Sequence, residues 1–309
     1  IEAILKKQNI EKQNVKNYWE DKTPQTWYSN KDLTQSPVSW FNELSYKRYN
    51  VFYEYLLDVA EFNYHSGEKV LEIGTGIGTD LVSYAKNGSI VSGVDLTENA
   101  IEMTKKHLQA FNLKAENLLV ADAENLPFED NQFDLVYCFG VLHHTPNTDK
   151  GIQEAIRVLK PGGKFIIMLY SRGWKHYFKR LFIFGLLKGY LFKYGYDKTV
   201  NKTTEVQGDS PLTYVLTKKV IKQIFQNLKT ESMTIRRHRL GEFFDYAPYN
   251  SRKLPGFITK LFYFFSLEKL FGENYIIKGF KSDENNKQNF NQKQSVWQVL
   301  WNEYKIHKK

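Results

Sequence analysis

The run Val70-Leu71-Glu72-Ile73-Gly74-Thr75-Gly76-Ile77-Gly78-Thr79-Asp80 decides the fold. A short β-branched and apolar segment, Lys69 to Ile73, meets three glycines at alternate positions, and helical spacing then continues to Asn87. This is the pattern of a buried strand that turns tightly into a helix. The turn lets a ligand touch the backbone, and the helix start offers unpaired N–H groups and a partial positive charge. The spacing is not the dinucleotide fingerprint. Counted from Gly74, the third position of G-x-G-x-x-G falls on Thr79, whereas glycine stands at Gly78 and the acid Glu72 lies two residues before the first glycine.

Downstream, strands are predicted over Ile90–Asp95, Leu118–Ala121, Phe133–Phe139 and Lys164–Tyr170. Helices fit between them, one from Thr97 as N-cap to about Asn112 and one over Asp149–Leu159, stopped by Lys160-Pro161-Gly162-Gly163. Strands alternating with helices argue for a parallel sheet with right-handed crossovers. Upstream, a helix over Val51–Phe62 leads into the core. Beyond Tyr170, the pattern predicts a helix from near Thr217, a strand over Ser232–His238, an aromatic helix over 256–271 and a last strand over Tyr275–Phe280. Residues 282–294 read as a polar flexible linker, followed by a short helix over Val296–Tyr304.

Two more acids close strands beside the glycine loop. Asp95 ends the second strand, where a carboxylate accepts both hydroxyls of a ribose, and Asp122 ends the third, where it meets the amino group of an adenine. His143 and His144 follow the fourth strand, and one of them suits a base or an acceptor-orienting donor. Adjacent histidines without cysteine or carboxylate ligand spacing do not make a metal site, so no metal is expected.

The five ordered segments VLEIGTGIGTD (70–80), GVDLT (93–97), ADAENLPFEDNQFDLVYCFGVLHHTPN (121–147), RVLKPGGKFIIMLY (157–170) and EVQGDSPLTYVLTKKVIKQIF (205–225) resemble class I S-adenosylmethionine-dependent methyltransferases. The similarity is to the small-molecule type that includes the quinone-biosynthesis enzymes. The resemblance implies an α/β, Rossmann-like, doubly wound sheet of seven strands, mostly parallel with one antiparallel strand, for which Tyr275–Phe280 is the candidate. It implies S-adenosylmethionine as cofactor, with S-adenosylhomocysteine as product. Glu72 with Gly74, Thr75, Gly76 and Gly78 would hold the amino-acid end, with Thr79 and Asp80 close by. Asp95 would hold the ribose, Leu96 would pack on the adenine, and Asp122 and Ala123 would contact the base. Phe139 and Gly140 would pass near the sulfonium.

The expected organisation is an N-terminal helical lid (1–65), a cofactor-binding core (66–171), cap insertions with the last strands (172–281) and a linker with a short tail (282–309). Aromatic residues crowd the lid and cap. Tyr18, Trp19, Tyr170, Arg172, Trp174 and Tyr246 are the candidates to line the acceptor side, and so aromatic a cap suits an apolar, aromatic or cationic small molecule. The chain of 309 residues carries a net charge of +9. The bases at 172–193 and the cluster Arg236-Arg237-His238-Arg239 are open to a solvated surface, an anionic headgroup or an acidic acceptor. A nucleic-acid methyltransferase is disfavoured because the fourth strand ends in CFGVLHHTP rather than an N-P-P-Y-like tetrad. A non-catalytic cofactor-binding protein is disfavoured by the complete set of acids and glycines. A single cysteine, Cys138, and the absence of an apolar leader or span point to a reducing, cytoplasmic setting with at most peripheral membrane contact.

Overall fold

The computed structural model describes residues 2–22, 33–174, 176–205, 208–238 and 272–282. Two helices, α1 (Glu2–Asp21) and α2 (Pro37–Lys47), precede the core. A wide turn over Arg48–Phe52 and a short helix α3 (Leu56–Val59) then lead to β1 (Lys69–Ile73) and α4 (Thr79–Lys86). The core continues through β2 (Ile90–Asp95), α5 (Glu98–Ala110), β3 (Asn117–Val120), β4 (Phe133–Phe139), α6 (Thr148–Arg157) and β5 (Leu159–Tyr170). After it come a wide π-type helix (His176–Leu187), α7 (Tyr190–Thr204), α8 (Lys218–Gln226), β6 (Thr230–His238) and β7 (Asn274–Lys281).

The strands form one sheet in the order β3-β2-β1-β4-β5-β7-β6. Strands β1 to β5 pair in parallel, and β7 runs antiparallel to both β5 and β6. The single reversed strand thus covers the predicted Tyr275–Phe280. Chain order reverses between β1 and β4, the switch point at which open α/β sheets bind ligands.

The strand period of two sorts the core into two layers. Val70, Leu135, Tyr137, Ile166, Met168 and Ile276 face one side, against Leu81, Val82, Tyr84 and Leu108. Leu71, Ile73, Val136, Phe165, Ile167 and Ile277 face the other, against Ile152 and Ile156 of α6 and Val220, Ile221 and Ile224 of α8. Helix α8 starts as its sequence suggests, with Thr217 Oγ1 accepting from the Val220 N–H at 3.3 Å.

Three local expectations need correction. The continuous helix over Val51–Phe62 is replaced by the turn at 48–52 and the four residues of α3, with Tyr53 leaving helical geometry at φ −137°. Tertiary bonds override local propensity here, because Arg48 and Tyr49 both turn onto Asp80. Thr97 stands at the N-cap of α5 without capping it. Its hydroxyl donates instead to Asp95 at 2.8 Å, while Glu20 of α1 accepts from the N–H groups of Glu98 and Asn99 at 3.1 and 2.8 Å. Strand β5 starts at Leu159 rather than Lys164, because Leu159 pairs with Phe133 and the Pro-Gly-Gly stretch is absorbed as an irregularity in the ladder. The aromatic helix predicted at 256–271, the linker beyond residue 282 and the tail helix lie outside the described residues. No helix among the described residues is long and apolar enough to cross a membrane.

Candidate functional site

The C-terminal edge of the sheet collects the acids and glycines picked out from the sequence. Gly74, Gly76 and Gly78 all hold positive φ, at 81°, 55° and 75°. A Cβ on Gly74 would stand 2.1 Å from Val141 Cγ2, so the tight turn excludes any side chain there. Gly76 differs, since a Cβ would meet nothing within 4 Å. Its backbone lines open space, as a ligand-approach position should.

Asp95 sits on the adjacent strand, where its Oδ2 accepts from the Gly76 N–H at 3.0 Å and its Oδ1 from the Thr97 N–H at 3.0 Å. The aspartate thereby braces the loop and leaves lone pairs toward the open side. Burial pushes its pKa up, against these two hydrogen bonds and the one from the Thr97 hydroxyl, which lower it. Leu96 follows, half-buried. Thr75 is buried and accepts from the Thr104 hydroxyl at 3.0 Å, and the Thr79 carbonyl accepts from Tyr49 at 3.2 Å.

Glu72 is 3% exposed, and its Oε2 has no hydrogen-bond partner among the described residues. Burial, then the nearby Asp80, drives its pKa well above the usual carboxylate range. A buried acceptor oxygen under such pressure suits a ligand ammonium. Asp80 is otherwise engaged: Arg48 grips both its oxygens through Nε and Nη2, and Tyr49 and Tyr137 donate to it at 2.9 and 2.8 Å. The structure therefore makes Asp80 the anchor of Arg48 rather than an open ligand group. Arg48 is itself buried and lies over the rings of Tyr53 and Phe139 at 5.3 and 5.1 Å. Phe139 leads to Gly140, another position of positive φ (84°).

Helix α1 crosses this edge. Lys12 Nζ bonds Asp122, and it bonds Glu124 at 2.8 Å; Gln8 donates to Asn147 at 3.0 Å. Asn147 in turn donates to Glu124 through its backbone N–H at 2.8 Å. Asp122 also accepts the Glu124 N–H at 2.9 Å, and Ala123 is buried next to it. Trp19 meets the His144 ring edge-on at 5.2 Å, and the Tyr18 hydroxyl donates to the Gly208 carbonyl at 2.8 Å. Among these residues, Lys12, Glu20, Glu124 and Asn147 escaped the sequence reading, as did Arg48. They are ordinary polar residues of a helix or loop, marked by no motif.

The two histidines take different positions. His144 Nδ1 lies 2.8 Å from the Leu212 carbonyl, which only accepts, so the proton is assigned to Nδ1. Its Nε2 lies 3.4 Å from Glu205 Oε1, a contact that ties the loop after β4 to the one after α7. Burial pushes the Glu205 pKa up, but the bonds to His144 and Tyr170 prevail and hold it below the usual value. His143 is fully buried against Tyr170, ring centroids 3.8 Å apart, and neither ring nitrogen has a partner among the described residues. Burial, then His144 and Arg180, hold its pKa well below the ordinary histidine value, so it is a neutral imidazole.

The remaining acceptor-side candidates divide. Tyr170 joins the histidines, and Arg172 donates to the Tyr196 hydroxyl at 3.0 Å. Trp174 is 44% exposed and stacks on Phe178 at 5.1 Å. Tyr246 lies outside the described residues.

Comparison with known proteins agrees with this geometry. Residues 71–167 match a family model described as methyltransferase domain. The ubiquinone biosynthesis O-methyltransferase of Coxiella burnetii is 33% identical over 125 residues, which span 39% of this chain and 53% of that protein. The sterol 4-C-methyltransferase of Caenorhabditis elegans is 38% identical over 98 residues, 31% of this chain and 29% of that protein. The chain therefore spans about half the length of the quinone enzymes it matches. The solved phosphoethanolamine N-methyltransferase 2 of Haemonchus contortus, in complex with S-adenosyl-L-methionine, superposes with a TM-score of 0.53 at 20% identity, covering 86% of this chain and 60% of that one. That likeness is one of fold. With the glycine turn, the strand-end acids and the 3-2-1-4-5-7-6 sheet in place, residues 71–167 are a class I S-adenosylmethionine-dependent methyltransferase domain.

Proposed function

We propose that the chain transfers the methyl group of S-adenosylmethionine to a small-molecule acceptor by in-line displacement. The observation that carries this reading is the row formed by unpartnered Glu72 Oε2, the open backbone of Gly76 and the braced carboxylate of Asp95. These groups fit, in order, an ammonium, a close-lying ligand backbone and a ribose diol. When bound, the cofactor supplies an activated sulfonium methyl, which leaves sulfur as the acceptor lone pair attacks and the S–C electrons return to sulfur.

The protein's own work is then alignment and exclusion of water. Glu72 orients the amino group, Arg48 lends positive charge beside the carboxylate end, and Asp95 fixes the ribose. Asp122 and Ala123 border the adenine position under the Lys12 clamp from α1. His143, neutral and unpartnered, faces the acceptor side as a hydrogen-bonding orienter. Its depressed pKa makes it a weak proton sink, so an acceptor that must lose a proton gives it to solvent water before attack, not to a strongly basic imidazole. The test is transfer from methyl-labelled cofactor into a small-molecule extract, read by mass spectrometry. Label that appears in a product with the wild type but not with Asp95→Ala supports the reading, and label that appears with neither contradicts it.

A membrane-bound, lipid-like or quinone acceptor is a second reading, favoured by one surface. Between Glu154 and Asp197 the chain has no acidic residue. Over that stretch Phe178, Phe182, Leu186, Leu187 and Phe192 are exposed, Phe192 to 83%, beside Lys179, Lys188 and Lys193. Exposed aromatics with interspersed bases suit an anionic bilayer interface. Co-sedimentation with phosphatidylglycerol vesicles but not with phosphatidylcholine vesicles is expected, and equal behaviour with both removes this reading.

A further inference from the structure

Helix α5 presses one face onto the glycine loop. Thr104 and His107 stand three positions apart, hence side by side on that face, and both are fully buried. The Thr104 hydroxyl is shared between Thr75 Oγ1 at 3.0 Å and the Gly76 carbonyl at 3.2 Å. His107 Nδ1 lies 2.8 Å from the Ile77 carbonyl, which only accepts, so the proton is assigned to Nδ1. Burial above all pushes the His107 pKa down to about 4, so the ring is neutral at ordinary pH. Three successive loop residues are thus held from one side, while Asp95 Oδ2 accepts the Gly76 N–H at 3.0 Å from another. The contact is close: a Cβ on Gly78 would stand 2.8 Å from Thr104 Cγ2. The imidazole is itself fixed, stacked on the buried Phe41 of α2 at 3.9 Å with 9° between the planes. Its Nε2 has no hydrogen-bond partner among the described residues. Burying a ring nitrogen unanswered is unfavourable, and leucine would fill the same space without that penalty. What leucine cannot do is hold the Ile77 carbonyl.

We propose that Thr104 and His107 are positioning residues of the cofactor loop, holding the Gly76 and Ile77 carbonyls against α5 so that the loop is set before the cofactor arrives. The proposal rests on the methyltransferase reading for the word cofactor. Neither side chain touches the ligand in this scheme; each acts through the backbone of the loop. The peptide unit is planar and trans, so its N–H points opposite to its C=O. Drawing the Gly76 carbonyl onto Thr104 therefore turns the Ile77 N–H away from α5, and drawing the Ile77 carbonyl onto His107 does the same for the Gly78 N–H. A loop of three glycines with free carbonyls would have to be ordered by the ligand itself, and that ordering would weaken binding.

Calorimetry of the full chain with S-adenosylhomocysteine tests this, alongside thermal melts and amide hydrogen exchange over residues 74–80. Thr104→Val keeps the shape and removes the hydroxyl, and should bind roughly three- to tenfold more weakly, the range of one lost hydrogen bond. Thr104→Ser restores the hydroxyl and should bind within about twofold of the wild type. His107→Leu keeps the apolar filling but leaves the Ile77 carbonyl unanswered, and should show a loss like that of Thr104→Val. His107→Asn places an amide N–H near the Nδ1 position while losing the stack on Phe41, so it should melt lower than His107→Leu yet bind more tightly. Affinity and melting temperature then rank the two variants in opposite order, whereas a purely structural histidine makes affinity follow stability or leaves it unmoved. Exchange over 74–80 should quicken in Thr104→Val and His107→Leu, and stay at the wild-type rate in Thr104→Ser. Should His107→Leu fail to fold, the two variants at Thr104 decide the matter. Wild-type affinity in Thr104→Val and His107→Leu, or unchanged exchange in both, overturns the proposal. A wild type that binds no S-adenosylhomocysteine, while exchange still quickens in these variants, would remove the methyltransferase reading and leave the loop brace standing.

Discussion

Replacing Glu72 with glutamine should move cofactor binding and fold stability in opposite directions. The wild-type carboxyl is buried with Oε2 unpartnered, and burial followed by Asp80 raises its pKa well above the usual range. An acid whose pKa is higher folded than unfolded holds extra protons in the native state, so stability is greatest at low pH and falls as pH rises through that window. The fall amounts to at most ~1.4 kcal/mol for each pH unit over which only the folded carboxyl is protonated. Glutamine has no such term. Glu72→Gln should therefore match the wild type only below about pH 4 and exceed it increasingly toward pH 8, by roughly 2–4 °C in Tm for each kcal/mol in a domain of this size. Binding should suffer, because a carboxylate-to-ammonium hydrogen bond contributes about 1.5–3 kcal/mol, or roughly a 10- to 150-fold loss of affinity. Thermal melts across pH and calorimetry with S-adenosylhomocysteine read both quantities on the same preparation. A variant that melts lower at pH 8 and binds as before would show that Glu72 is a structural group and refute the ammonium assignment.

Other substitutions separate roles within the site. Asp95→Ala should weaken cofactor binding about 100-fold by removing two charge-assisted bonds to a diol, with only about 1 kcal/mol lost from the Gly76 and Thr97 braces; unchanged affinity by calorimetry rejects the ribose role. Arg48→Met strands Asp80 in the core and should cost about 3–5 kcal/mol in urea unfolding, so a loss below about 1 kcal/mol would deny that the pair is a buried unit. His143→Gln should lower turnover while leaving cofactor affinity intact, and normal turnover removes the histidine from the acceptor side.

Legibility followed chemistry of short range. The glycine turn, Asp95 and Asp122 stand out because strand, turn and strand-end positions are dictated by local spacing, and the sheet places them side by side without further information. Strand β4 was readable to the residue at Phe133–Phe139, since a run of apolar and aromatic residues interrupted only by Asp134 near its start has one place to go. The helix over 51–62 was misread because its outcome depends on Asp80, which lies 32 positions beyond Arg48. Capping of α5 by Glu20 was equally hidden: the carboxylate arrives from another helix, 78 positions away. Arg180 illustrates the same limit from the other side. Its neighbours in sequence are aromatic and basic, and only the turn of the cap helix shows that Arg180 is buried.

Titrating the purified full chain with S-adenosylmethionine and with its demethylated product is the direct trial of the cleft at the ends of β1, β2 and β3. One site per chain is expected, weakened by Asp95→Ala, while a nicotinamide dinucleotide produces no heat. Silence from both sulfur compounds, or saturable binding of the dinucleotide in their place, would contradict it.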